Sequence, residues 1–131
     1  MAEKALVETQ IDDSVSLVQR LDADGYPPAF AAWYYYDDAD EWRLIIAGTE
    51  LDALLGKHDA IAYRKIVDAM SAISLASLAV SDIKLMKTDG PLPKALKFLI
   101  GTGPTGIVRA HCTDTTLNGI FIKEMVILRS A

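Results

Sequence analysis

Arg109, His111, Thr113 and Glu124 are the residues whose types suit joint chemistry. Asn118-Gly119 is the favoured two-residue type I′ turn, because both central positions need positive φ. It joins two strand-like runs, 107–114 and 120–129, and sets a register in which opposed residue numbers sum to 237. In that register the four residues share one sheet face, and Asp114 opposes Lys123, a pair worth roughly 0.2–1 kcal/mol. His111 lies diagonal to Glu124, roughly 7–8 Å away at the backbone and within side-chain reach. Such a set can bind a carboxylate or another anion, or provide acid–base chemistry. Arg43 sits on a strand able to join that face. The plainer alternative, a polar seam between subunits, is the one we favour.

The other chemistry-bearing residues read as structure. Cys112 adjoins His111, and neighbouring strand residues point to opposite faces, so the two form no dyad. Cys112 is expected in the core and His58 on the surface at a helix start. Two histidines and one cysteine so spaced make no zinc site. Gly101-Thr102-Gly103-Pro104-Thr105-Gly106 resembles a phosphate loop only superficially. It lacks the Gly-Lys-Ser/Thr ending, and it follows a helix and precedes a strand. Leu21-Asp22-Ala23-Asp24-Gly25 lacks the ligand spacing of a calcium loop and reads as a helix end. Asp37, Asp38, Asp40 and Glu41 read as a solvated turn, and the aromatic run Trp33–Tyr36 as core and interface. No cofactor is implied.

These residues must be positioned by an order α-β-β-α-β-α-β-β. Ile11, Val15, Val18 and Leu21 recur at helical spacing. Thr9 or Asp12 is the expected cap, and Gly25 with Pro27 and Pro28 ends the helix near Asp24. Residues 29–36 and 42–47 form a hairpin around the acidic turn, with Tyr36 expected opposite Trp42. Residues 48–56 hold at most one helical turn. The longest helix is expected from His58 to about Leu78, with Ile61, Ile66, Met70 and Ile73 inward. A short strand, Ile83 to Lys87, precedes a short helix, Leu92 to Leu99, opened by Pro91 and Pro93. The predicted fold is a single α+β domain spanning residues 1–131. It has one mostly antiparallel five-stranded sheet with helices packed on one face, and residues 1–8 form a loose arm.

The strands are too apolar for a sheet covered on one side. Such a sheet alternates apolar and polar residues. Here the last strand places Ile120, Ile122, Val126 and Leu128 on one face and Phe121, Met125 and Ile127 on the other. In the first hairpin Trp33, Tyr35 and Ile45 back Phe30, Tyr34 and Leu44. A large uncovered apolar patch marks an interface. The expectation is a homodimer joined through sheet faces, with Trp33, Tyr35, Ile122, Val126 and Leu128 at the interface. The alternative is that the third helix or the N-terminal arm wraps round to cover the second face.

Ala32-Trp33, Glu41-Trp42-Arg43-Leu44-x-Ile46-Ala47, Tyr63, Asp82-Ile83, Gly106-Ile107-x-Arg109, Asn118-Gly119-x-x-Ile122 and Leu128-Arg129 form a set. Taken together, this set resembles a family of small uncharacterised bacterial α+β proteins, over about residues 14–129. That family has no established activity, so the resemblance implies a compact bacterial domain and no chemistry.

Composition narrows the function classes. At 131 residues with 51% hydrophobic and 24% charged residues, the chain is globular rather than disordered. Mean hydropathy is +0.21, high for a soluble monomer and in line with a buried interface. A single cysteine excludes an internal disulfide and fits the cytoplasm. The N-terminus lacks a secretory signal's apolar region, and the longest uncharged stretch, 69–80, is too short for a bilayer. Net charge is −5, distributed unevenly. Residues 1–82 hold 15 acidic against 6 basic side chains, and residues 83–131 hold 3 against 7, including Lys84, Lys87, Lys94 and Lys97. The net charge argues against nucleic-acid binding. The leading expectation is a non-enzymatic, oligomeric cytoplasmic protein that binds a protein partner or small ligand. The alternatives are a small enzyme using His111, Glu124 and Arg109, and an acidic inhibitor or immunity protein for a basic partner.

Overall fold

The register that Asn118-Gly119 dictates is present in the computed structural model, which describes residues 6, 8–97 and 100–131. Ala110 opposes Ile127, Cys112 opposes Met125, and Leu117 opposes Ile120. These pairs join β4 (Ala110–Leu117) to β5 (Ile120–Ser130). Asn118 and Gly119 both have positive φ, 49° and 81°, as the turn requires. Before them come α1 (Glu8–Ala23), β1 (Phe30–Tyr36), β2 (Glu41–Ala47), α2 (Thr49–Asp52), α3 (Asp59–Ser71), β3 (Ile83–Leu85) and α4 (Pro91–Leu96). The fold is α+β with one five-stranded sheet in the order β3-β2-β1-β5-β4. All pairings are antiparallel except β2 with β3. Most of the expected N-terminal arm, and the last two residues expected in the third helix, lie outside the described residues.

Two hydrophobic layers sandwich the sheet. Leu17, Val18 and Leu21 of α1 and Ala62, Ile66 and Ala69 of α3 pack on one face, over Trp33, Leu44, Ile46, Val126 and Leu128. Against the other face lies α4. Its Leu92 and Leu96, four residues apart and so on one side of the helix, meet Phe30, Ile45, Ile122, Met125 and Ile127. The two longer helices thus share one face as expected, and short α4 covers the second. Pro91 opens α4 at a position where its missing N–H costs nothing.

This arrangement corrects the expected interface. Trp33, Tyr35, Ile122, Val126 and Leu128 are all buried inside the chain's own core. They also do not share a face, since Ile122 belongs to the α4 layer and the other four to the α1 layer. The strict alternation assumed along the last hairpin fails near its middle. Ile122 and Met125 are three residues apart yet lie in the same layer. Between them the facing strand holds Asp114 at φ 46°, in the left-handed region, which interrupts the alternation. Phe121, expected to share a face with Met125 and Ile127, consequently stands 57% exposed.

The first hairpin is offset by one residue from expectation. Tyr36 opposes Glu41 and Tyr35 opposes Trp42, because the turn takes four residues, with Asp40 at φ 49° closing it. Trp33 and Tyr35 therefore join Trp42, Leu44 and Ile46 in the α1 layer. The long helix is also shorter than its periodicity predicts. It stops at Ser71, and Ile61, expected inward, is 45% exposed. The following loop is held from outside by Asp13 of α1. That carboxylate accepts the N–H groups of Ala76, Ser77 and Leu78 at 2.7–3.1 Å. Burial would raise its pKa, but these backbone donors, with the Ser77 side chain, hold it below the ordinary carboxylate value.

The most demanding buried group is Arg129, with no exposed surface. A bulge in the β1–β5 ladder skips Leu128 and sets Arg129 opposite Ala31, so both turn towards α1. All five guanidinium donors are used. Nη1 and Nη2 grip Asp22 at the end of α1, at 2.7 and 2.8 Å. The others go to the carbonyls of Pro28 (3.1 Å), Thr105 (3.1 Å) and Gly106 (2.9 Å). A Cβ at Gly106 would lie 2.2 Å from the Thr102 carbonyl oxygen, so only glycine permits this turn.

Arg129→Lys is expected to lose about 3 kcal/mol, because one ammonium cannot serve a bidentate carboxylate and three carbonyls. A shift of less than 1 kcal/mol in urea unfolding, on the scale of an exposed ion pair, would refute this assignment. The depressed pKa of Asp13 stabilises the fold above the unfolded value near ~3.9, and that contribution disappears as pH falls through the folded value. Asp13→Asn should therefore unfold more easily at neutral pH and show a flatter acid limb below about pH 4 than the unaltered chain, as followed by circular dichroism. Parallel acid limbs would show that Asp13 does not carry the effect.

Candidate functional site

The polar set expected on β4 and β5 does share one face, but it does not close into a site. His111 opposes Val126 and Thr113 opposes Glu124, so all three polar residues stand on the α1 side. His111 Nε2 lies 3.6 Å from Glu124, beyond hydrogen-bond length, and its side chain is 64% exposed. Arg109 turns away from both towards α1, where it reaches Asp12 at 2.7 Å and Glu8 at 3.1 Å. Arg43 does not join the cluster. It opposes Tyr34 on the α4 side of the sheet, and β1 and β5 separate its strand from β4. Cys112 is half-buried on the α4 side, where burial pushes its thiol pKa up and disfavours a thiolate. No group of three metal-ligating side chains occurs among the described residues.

Other expected features are structural. The Gly101–Gly106 segment encloses the end of β5: Thr102 N–H donates to the Ser130 carbonyl (2.8 Å), and Ser130 N–H donates to the Thr102 hydroxyl (3.1 Å). Asp22 is the partner of Arg129 rather than a cation ligand. Trp33 donates its indole N–H to Ser14 at 3.0 Å inside the core. The Asp37–Lys123 ion pair (3.5 Å) links the first turn to β5.

Two open grooves lie at the tip of the first hairpin. The larger, about 420 Å³, runs between Tyr36, Arg43, Lys84 and Tyr63, with Ile83 behind them. That volume falls within the range of small-ligand clefts. The second, about 290 Å³, is lined by Tyr34, Tyr36, Phe121 and Lys123. Tyr36 and Asp38 border both.

Local chemistry sets the groove walls. Three consecutive tyrosines in a strand alternate between layers. Tyr35 turns into the α1 layer and donates to Asp40 at 2.6 Å, pinning the turn. Tyr34 and Tyr36 turn to the other side and meet edge to face, with centroids 4.9 Å apart. Burial, with the Tyr36 phenol beside it, pushes the pKa of Tyr34 up, so it remains a neutral hydrogen-bonding phenol. Lys84 lies 5.1 Å from the centre of the Tyr36 ring, and its ammonium reaches the Tyr36 hydroxyl at 3.3 Å. Arg43 is tied to the Ser81 carbonyl (2.8 Å) and Glu41 (3.2 Å). Asp38 makes no hydrogen bond or ion pair among the described residues.

Of the expected binding residues only Arg43 lines a groove. From the sequence the acidic turn reads as solvated and the aromatic run as core and interface, and Tyr63, Lys84 and Phe121 come from elements whose meeting no local pattern announces. Comparisons with protein-family models, with curated proteins and with solved structures find no match for the chain.

The dispersed geometry carries an expected outcome. His111→Ala and Glu124→Gln should each leave stability within about 0.5 kcal/mol of the unaltered chain, as surface substitutions do. A loss above about 2 kcal/mol in chemical denaturation would reveal a buried coupling between them.

Proposed function

We propose that the protein is a non-enzymatic binding module that recognises its partner through the grooves beside the β1–β2 turn. The supporting observation is the convergence there of tyrosines from β1 and α3 with basic residues from β2 and β3, around Asp38, which has no partner among the described residues. Concave surfaces with aromatic walls and a few placed charges are the usual form of recognition sites. An acid–base role for His111 needs a base or acid within hydrogen-bond reach of a reacting group held in an enclosure. His111 faces solvent and lines neither groove.

Packing of α4, with Met86 and Ile100, on the second face supports reading self-association through the sheet faces as the weaker alternative. We therefore favour a monomer with an open tip. The acidic-inhibitor reading also weakens. Part of the acidic excess is neutralised within the chain, where Asp22 meets Arg129, Glu8 and Asp12 meet Arg109, and Asp37 meets Lys123. A cytoplasmic setting is in keeping with the single half-buried thiol. No helix among the described residues is long and apolar enough to cross a membrane.

A fragment screen read by amide chemical shifts tests the proposal. Responses should cluster at residues 34–43, 63, 83–84 and 121–123. A cluster around 109–113 and 124 would favour the catalytic reading and defeat this one. Sedimentation should report a single subunit, and a concentration-independent dimer would restore the interface reading.

A further inference from the structure

We propose that the two grooves jointly take a proline-rich peptide in the polyproline II conformation, with a basic residue of the peptide against Asp38. The inference rests on the binding-module reading and names its ligand class.

Tyr36 and Asp38 border both grooves, with Tyr63 in one and Phe121 in the other, and Tyr34, which meets Tyr36 edge to face, also lines the second. Phe121 is a large apolar side chain left 57% exposed. A polyproline II helix has three residues per turn and a rise of about 3.1 Å each, so successive apolar ridges recur about every 9 Å. Such ridges fit adjacent slots that share an aromatic border, and proline rings dock on aromatic walls with little ordering entropy to lose.

Hydrogen bonding points the same way. The helix makes no internal hydrogen bonds and presents bare carbonyls. The hydroxyls of Tyr36 and Tyr63 each accept a hydrogen bond, from Lys84 and from the Leu85 N–H. Each retains its own hydrogen for a peptide carbonyl. Addition of a β-strand would instead use a sheet edge. The larger groove also takes in Ile83 and Lys84 of the edge strand β3, but the second groove, lined by Tyr34, Tyr36, Phe121 and Lys123, lies on inner strands where no further strand can pair.

Charge sets the flank. Lys84, Arg43 and Lys123 already have partners at the tip, while Asp38 makes no hydrogen bond or ion pair among the described residues. An arginine or lysine next to the prolines would pair with it. The same acidic turn repels a phosphate backbone.

The full chain should be titrated with a capped ten-residue peptide of alternating alanine and proline pairs ending in arginine, followed by amide shifts. Saturable binding is expected, with shifts at 34–43, 63, 83–84 and 121–123. Replacing the prolines by alanine should weaken binding at least about tenfold, or about 1.4 kcal/mol. Replacing the arginine by glutamate should weaken it about fivefold, and Asp38→Asn should abolish that preference without affecting folding, because Asp38 is exposed. Tyr36→Leu, checked for a native spectrum, should lose binding. Equal affinity for the alanine peptide, shifts elsewhere, no saturation at millimolar peptide, or binding of oligothymidine in its place would each overturn the inference. If the peptide fails while fragments still occupy the grooves, only the ligand class falls. If both fail, the binding-module reading falls with it.

Discussion

A buried cation with all five donors occupied is the constraint around which the subunit is arranged. Arg129 has no access to water, so each guanidinium N–H needs a protein acceptor. Its acceptors come from the end of α1, the Pro27–Pro28 turn and the Thr105–Gly106 turn. Satisfying one side chain therefore sets where the first helix ends, how the chain enters β1 and how it approaches β4. The β-bulge at Leu128 is the backbone adjustment that aims the arginine at these groups. Gly106 is the second adjustment, since no side chain fits beside Thr102.

Asp13 plays the same part at the other side of α1. Three consecutive backbone N–H groups close on its carboxylate and hold the loop after α3 to the helix. Each charge is tied to backbone groups of a neighbouring loop, so each defines a loop that hydrophobic packing alone would leave loose. The hairpin tip is organised differently. Asp37, Asp38 and Asp40 are exposed, and the contacts of Lys84 and Arg43 are partly solvated. Buried charges tie the framework together, and the tip is held by tyrosine packing and surface pairs. That division suits a recognition surface carried on a fixed sheet.

Much of the element order was legible because local chemistry marks it. Asn118-Gly119 permits one tight turn, Pro91 opens α4, and Gly25 with two prolines closes α1. The hairpin register followed from the turn, but the facing of its residues did not, because Asp114 breaks the alternation. The four-residue turn at Asp37–Asp40 shifted the first hairpin by one position and so exchanged the faces of Tyr34 and Tyr35. The second face looked bare because its cover by the third helix stood only as the alternative to a partner subunit, and Leu92 and Leu96 of that short helix are what pack on it. His111 and Glu124 were placed on one face correctly, yet exposure and the turning away of Arg109 leave them apart.

By itself the sequence determined what short-range sterics control: where helices start and stop, where the chain turns, and that its strands are apolar on both faces. Only the tertiary structure decided which side of the sheet each residue meets, which helix covers it, and which distant side chains share a groove. The reason is physical. Turn and cap preferences act over a few bonds, whereas bulges, layer assignment and the meeting of Tyr36, Tyr63 and Phe121 depend on packing between segments tens of residues apart.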